Sequence, residues 1–239
     1  MASPKKTLII FDVDQTITQK DTFQTVVKNL LPKEESDEIS RIAKTRDNWI
    51  LLFNRLFDYL QTIGKGKEEV KAEIEKLELN SGMKELFEYL NLNKEKYEIV
   101  ILSSGYYWQI KTLLSYNRIL KNVKEIISTH SKVEGNIVKI YQIKKFNCNI
   151  CNPYQCKSSE INDFFKKNKR ENYEKIIFVC DGSNDICLAK ILNKNDVLFP
   201  RKDFALYKKL DNEGLRDELK CNINSWVNGF EIISFLKNC

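Results

Sequence analysis

The chain has 239 residues, with 39 Lys and Arg against 33 Asp and Glu for a formal net charge of +6, and 42% of its residues are apolar. That length fits one large domain or a core with one insertion, and the composition excludes the disordered and collagen-like classes. No stretch approaches the roughly 18 apolar residues of a membrane span, and the apolar run 8–11 stops at Asp12, too short for a signal peptide. A cytoplasmic protein without membrane contact is expected.

Seven cysteines, an odd number, predict reduced thiols rather than a disulfide framework. His130 is the one histidine, so zinc sites built on several imidazoles are excluded, and carboxylates are expected to carry any chemistry. The lysines are interleaved with acids, as in 65–76, which predicts a solvated surface and no nucleic-acid partner.

In chain order, the β-branched and apolar run 7–11 ends in Asp12 and predicts a buried strand of a parallel sheet. Runs 97–102, 126–129, 175–179 and 196–199 share that character, with helix-like segments between most of them. This alternation predicts an α/β fold, a doubly wound parallel sheet that binds its ligand beyond the carboxyl ends of the strands. Residues 21–79 carry helical patterns and no strand; Ile50, Leu51, Phe53, Leu56, Phe57 and Leu60 recur at helical spacing. They predict an inserted helical cap over 21–79, on a core formed by 1–20 and 80–239. A helix over 83–90, capped by Asn80 or Ser81, is expected to return the chain to the core. Segments 166–172 and 193–195 read as polar loops.

The first strand runs into Asp12-Val13-Asp14-Gln15-Thr16, which places two carboxylates on one side of its end. Two close acids there cost free energy that a cation or unequal protonation relieves. Alone, such a pair also fits a solvent-facing turn. Asp181-Gly182-Ser183-Asn184-Asp185 repeats the strand-then-acid arrangement, and carboxylates from two strands could converge on one hard ion such as Mg²⁺. Ser103-Ser104-Gly105 follows the strand 97–102 and offers hydroxyls to a phosphoryl oxygen, while Lys157 offers a point charge.

These four segments, in this order, resemble the motifs of the haloacid dehalogenase-like hydrolase superfamily. Cys148-Asn149-Ile150-Cys151, Pro153, Cys156-Lys157, Asp181 to Asp185 and Phe199-Pro200-Arg201 are similar to its phosphoethanolamine/phosphocholine and pyridoxal phosphate phosphatase subfamily. The resemblance implies a Rossmann-like core with a helical cap and an aspartyl-phosphate mechanism. Asp12 is then the nucleophile and Asp14 the acid and base. Ser103 and Lys157 hold phosphoryl oxygens, and Mg²⁺ is bound by Asp12, the Asp14 main-chain carbonyl and Asp181, with Asp185 a ligand or an orienting residue. Ser104 replaces an acid that faces substrate in the subfamily, which weakens the case for choline or ethanolamine head groups; Asp21 is the remaining matching acid, and also reads as a helix N-cap.

Cys148, Cys151 and Cys156 have a spacing that invites zinc, but a closed site needs a fourth ligand, and Phe146 stands where the family has histidine. Buried or loop thiols are the expectation there. The sequence therefore predicts a Mg²⁺-dependent phosphatase of a small phosphate monoester, of the phosphoethanolamine, phosphocholine or pyridoxal phosphate type. The rivals are a phosphoserine phosphatase-like activity and a non-catalytic binding protein on the same fold. The sequence gives no oligomeric state.

Overall fold

The computed structural model describes residues 5–45, 49–151 and 154–238; Pro153 lies outside the described residues. Strand β1 (Lys6–Phe11) leads into four helices, α1 (Thr22–Leu30), α2 (Lys33–Thr45), α3 (Trp49–Thr62) and α4 (Lys67–Glu75). The chain continues through α5 (Met83–Leu92), β2 (Tyr97–Tyr106), α6 (Tyr107–Tyr116), β3 (Val123–Glu134) and β4 (Ile137–Tyr141). It then forms α7 (Lys157–Asn168), β5 (Tyr173–Cys180), α8 (Ile186–Ala189), β6 (Val197–Pro200), α9 (Ala205–Asn212), β7 (Asn222–Ile223) and α10 (Gly229–Lys237). No described helix is long and apolar enough to cross a membrane.

The strands form one seven-stranded sheet in the order β4-β3-β2-β1-β5-β6-β7, parallel except for β4. Because side chains alternate along a strand, Leu8 and Ile10 of β1 enter the core on one face, and Ile9 and Phe11 that on the other. Both faces are therefore covered by helices. On one, Met83, Leu86 and Phe87 of α5 pack with Ile110 of α6 and Ile232 of α10; on the other, Ile161 of α7 packs with Leu188 of α8 and Leu206 of α9. This is the Rossmann-like, doubly wound α/β fold with an inserted helical cap. The chain leaves β1 towards β2 on one side and β5 on the other, so the crevice of the switch point opens at the end of β1.

Val26, Phe53, Leu56 and Val70 of the inserted helices are buried in the same cluster as α5 and α6, so these helices share the core of one face. A β3–β4 hairpin that the sequence reading missed also supports them. The Asn54 side chain of α3 donates to Ile140 O (2.7 Å) and accepts from Ile140 N (3.0 Å), and Lys67 N at the start of α4 donates to Asn136 O (2.8 Å).

Local expectations are corrected in three places. Helix α5 is capped by Gly82 at φ 74°, not by Asn80 or Ser81, and it runs to Leu92. A Cβ at Gly82 would meet the Phe230 main-chain nitrogen at 2.6 Å, so both the left-handed backbone and the close approach of α10 select glycine. Residues 166–168 are the last turn of α7 rather than loop. The run around His130 extends to Glu134 and pairs antiparallel with β4, with the imidazole stacked on Tyr141 at 5.9 Å.

Candidate active site

Asp12 directly follows β1, and its N–H still donates to Val179 O of β5 (3.0 Å) as the side chain enters the crevice. The chain then coils: the N–H groups of Thr16, Ile17 and Thr18 all donate to Val13 O, and Gln15 adopts φ 58°. A positive φ is costly away from glycine and needs support from its surroundings. Arg201 donates to Gln15 O and, at 2.8 Å, to Asn80 Oδ1, while Asn80 Nδ2 donates to Thr16 O (2.7 Å) and Thr18 O (2.9 Å). Asn80, expected as a helix cap, instead closes this loop.

Asp181 follows β5, and its Oδ1 accepts from Thr16 Oγ1 at 3.2 Å. Asp185 is wholly buried, with its Oδ2 accepting from Gly182 N at 2.8 Å. Lys157 opens α7 and is 1% exposed; its Nζ lies 3.0 Å from Asp12 Oδ1 and also donates to Asp185 Oδ1. Carboxylate oxygens of Asp12, Asp181 and Asp185 all lie within 4.8 Å of one another.

Three buried acids thus face one ammonium, and the titration of the cluster reflects the excess of negative charge. Burial, then the charges of Asp12 and Asp185, push Asp181 up to about 9. Asp185 is raised to about 6 by burial, with Lys157 opposing the rise. Burial works against the charge on Lys157, but Asp12 and Asp185 outweigh it and hold the ammonium above the ordinary lysine range. Oxygen donors at this spacing, short of positive charge, fit a hard divalent cation.

Asp14 is raised to about 8 by burial and then by the charge of Asp21, against two donors from Thr22: its N–H at 2.8 Å and its hydroxyl. Asp21 caps α1 by accepting from Gln24 N (2.8 Å), and it also lines the pocket. Ser104 lines the pocket as well. Ser103 does not: its hydroxyl is buried and accepts from Gly105 N at 3.1 Å, and its carbonyl accepts from Gln155 Nε2 at 2.6 Å.

The pocket measures about 890 Å³ and lies between the sheet and the inserted helices. Asp12, Asp14, Lys157 and Asp181 form its floor, and Phe23, Trp49 and Phe53 its apolar wall. Those rings meet edge-on or tilted at 5.0–5.9 Å. The sequence reading missed Thr22, Gln155 and the bracing by Asn80 and Arg201. Each is a polar residue whose partner lies elsewhere in the chain or on a turning backbone, and spacing alone carries no signal for that.

The family model described as "Putative Phosphatase" matches residues 7–239. The chain belongs to this family. Pyridoxal phosphate phosphatase PHOSPHO2 of Rattus norvegicus is 28% identical over 242 residues, covering 97% of this chain and 98% of that protein. The phosphoethanolamine/phosphocholine phosphatase of Gallus gallus is 23% identical, covering 98% of this chain and 89% of that protein. Among solved structures, a HAD family hydrolase from Salmonella enterica serovar Typhi superposes with a TM-score of 0.65 at 19% identity, over 98% of this chain and 72% of that one. A phosphoserine phosphatase solved as a phospho-aspartyl intermediate analogue gives 0.60 at 17%, over 97% and 99%. The chain is thus a phosphoric monoester hydrolase of the haloacid dehalogenase-like superfamily.

Proposed function

We propose that this phosphatase hydrolyses a small phosphorylated metabolite through an aspartyl-phosphate at Asp12, with Mg²⁺ as its cofactor. The observation that carries the reading is the convergence of Asp12, Asp181 and Lys157 at the floor of one pocket, with Asp185 buried against them. Asp12, Asp181, Asp185 and the Asp14 main-chain carbonyl would hold the ion. Bound Mg²⁺ supplies neutralisation of the charge on the phosphoryl oxygens. Lys157 adds a fixed ammonium to the same oxygens, and of the two serines expected to bind them Ser104, which lines the pocket, is the candidate donor, while Ser103 lies buried behind it.

An Asp12 oxygen attacks phosphorus as the ester oxygen leaves. Asp14, raised to about 8, carries a proton at neutral pH and gives it to that leaving oxygen. The carboxylate so formed then takes a proton from the water that attacks the acyl phosphate, releasing inorganic phosphate and regenerating Asp12. Residues 21–79 act as the cap, closing over 1–20 and 80–239 and excluding bulk water.

The ring-lined wall favours a planar aromatic substrate of the pyridoxal phosphate type. Asp21 and Trp49, both in the lining of this pocket, support a second reading, a cationic amine such as phosphoethanolamine or phosphocholine, through an ion pair and a cation–π contact. A panel of pyridoxal phosphate, phosphoethanolamine, phosphocholine and phosphoserine, with Mg²⁺ or with EDTA, separates them. The first reading expects the highest kcat/KM on pyridoxal phosphate and loss of turnover in EDTA; preference for phosphoserine would remove both.

A further inference from the structure

A second cluster of ligating side chains lies beside the pocket, built from sulfur. The Sγ atoms of Cys148, Cys151 and Cys156 all lie within 4.8 Å of one another. Tetrahedral zinc with Zn–S bonds of about 2.3 Å sets its sulfurs about 3.8 Å apart, so these three are close to the required spacing. A fourth thiol stands on α8: Cys187, 3% exposed, lies next to Cys151 but outside the trio that is mutually within 4.8 Å, and its Sγ donates to Asn184 O at 3.6 Å. Cys148 in turn contacts both Cys151 and Cys156.

The start of α7 sets a polar atom beside the sulfurs, with Cys156 Sγ 3.1 Å from Ser158 Oγ. Three thiolates within 4.8 Å of one another repel unless a cation sits among them.

We propose that Cys148, Cys151, Cys156 and Cys187 bind one structural zinc ion that fixes the segment leading into α7 against α8. The donor set is soft, which selects Zn²⁺ over the Mg²⁺ suited to the acids. The site is closed, so the metal has no open position for substrate. Its placement gives it a consequence for the pocket. Cys156 immediately precedes Lys157, Cys187 lies two residues after Asp185, and Ile150, Cys151, Tyr154 and Gln155 line the pocket wall. The ion thus ties the two segments that carry Lys157 and Asp185.

The test uses the full chain, purified under reducing conditions and loaded with zinc. Elemental analysis is expected to find one zinc per chain, retained in Asp12→Asn and lowered at least about tenfold in Cys187→Ser and Cys148→Ser. Replacement by Co²⁺ is expected to give the thiolate charge-transfer and visible bands of a tetrahedral sulfur site in the wild-type protein, a readout that stands even if a cysteine variant fails to fold. Absence of bound zinc with all four thiols titrating as free would overturn the proposal. So would a disulfide among them in the non-reduced protein, or a cobalt spectrum without sulfur bands that Asp12→Asn abolishes.

Discussion

The oxygen cluster and the sulfur cluster adjoin, yet they are assembled in different ways. Asp12 and Asp181 stand at the ends of neighbouring strands β1 and β5, so hydrogen bonds of the sheet fix their separation. Cys148, Cys151 and Cys156 sit on an irregular segment before α7, and only Cys187 belongs to a regular element. The acids also contain their own cation, Lys157, which pairs with Asp12 and Asp185. The sheet thus positions a reactive centre through its own hydrogen bonds, whereas the proposed zinc would be what fixes the thiols in place. Hard and soft donors keep the two centres chemically separate despite their proximity.

The largest expected effect separates the clusters by chemistry. Asp12→Asn should lower turnover by about 10⁴-fold or more, as loss of a covalent nucleophile does, with its circular dichroism and zinc content unchanged. A parallel loss of zinc would show that the clusters are one site. Next, Lys157→Met leaves Asp12 and Asp185 buried without their partner, and should cost about 3–5 kcal/mol in denaturant unfolding of the Mg²⁺-free protein. A smaller loss in the presence of Mg²⁺ would support a shared role in charge neutralisation; no loss in its absence would remove the lysine from that role.

A third expectation concerns pH. Asp14, Asp181 and Asp185 titrate at about 8, 9 and 6, above the roughly 4 of an unfolded aspartate, so the folded protein holds more protons across that interval. Stability of the metal-free protein therefore falls as pH rises from about 5 to 9. Mg²⁺ should flatten that fall and raise Tm most at the alkaline end; a stabilisation by Mg²⁺ that does not change with pH would contradict the charge account. The smallest effect is Thr22→Val. Removing the hydroxyl donor raises Asp14 further, so the alkaline limb of kcat/KM should move up by about one pH unit or less. An unmoved or lowered limb would separate Thr22 from the proton transfer.

The sequence showed the acids because each ends an apolar run, and a buried strand that stops at a carboxylate is a local pattern. The same runs mark the parallel strands, while their order in the sheet comes only from the structure. Strand β4 escaped notice because it spans only Ile137–Tyr141 and its buried residues are broken by exposed Lys139 and Tyr141, a weaker pattern than the continuous runs of the parallel strands. Gly82 displaced the expected cap because α10 crosses within contact of that turn, a tertiary fact with no local mark. Cys187 was invisible for a related reason: amid Ile186, Leu188 and Ala189 it reads as a core residue, and only the packing of α8 against the start of α7 brings it to the other thiols.

The most direct test is to trap the covalent intermediate. Turnover of pyridoxal phosphate or phosphoethanolamine with Mg²⁺ is stopped by acid, the acyl phosphate is reduced with borohydride, and the tryptic peptide 7–20 is sequenced by mass spectrometry. The account predicts reduction of position 12 to homoserine, in wild type and not in Asp12→Asn. Active turnover with the modification at Asp14 or Asp181, or at no residue, would contradict it.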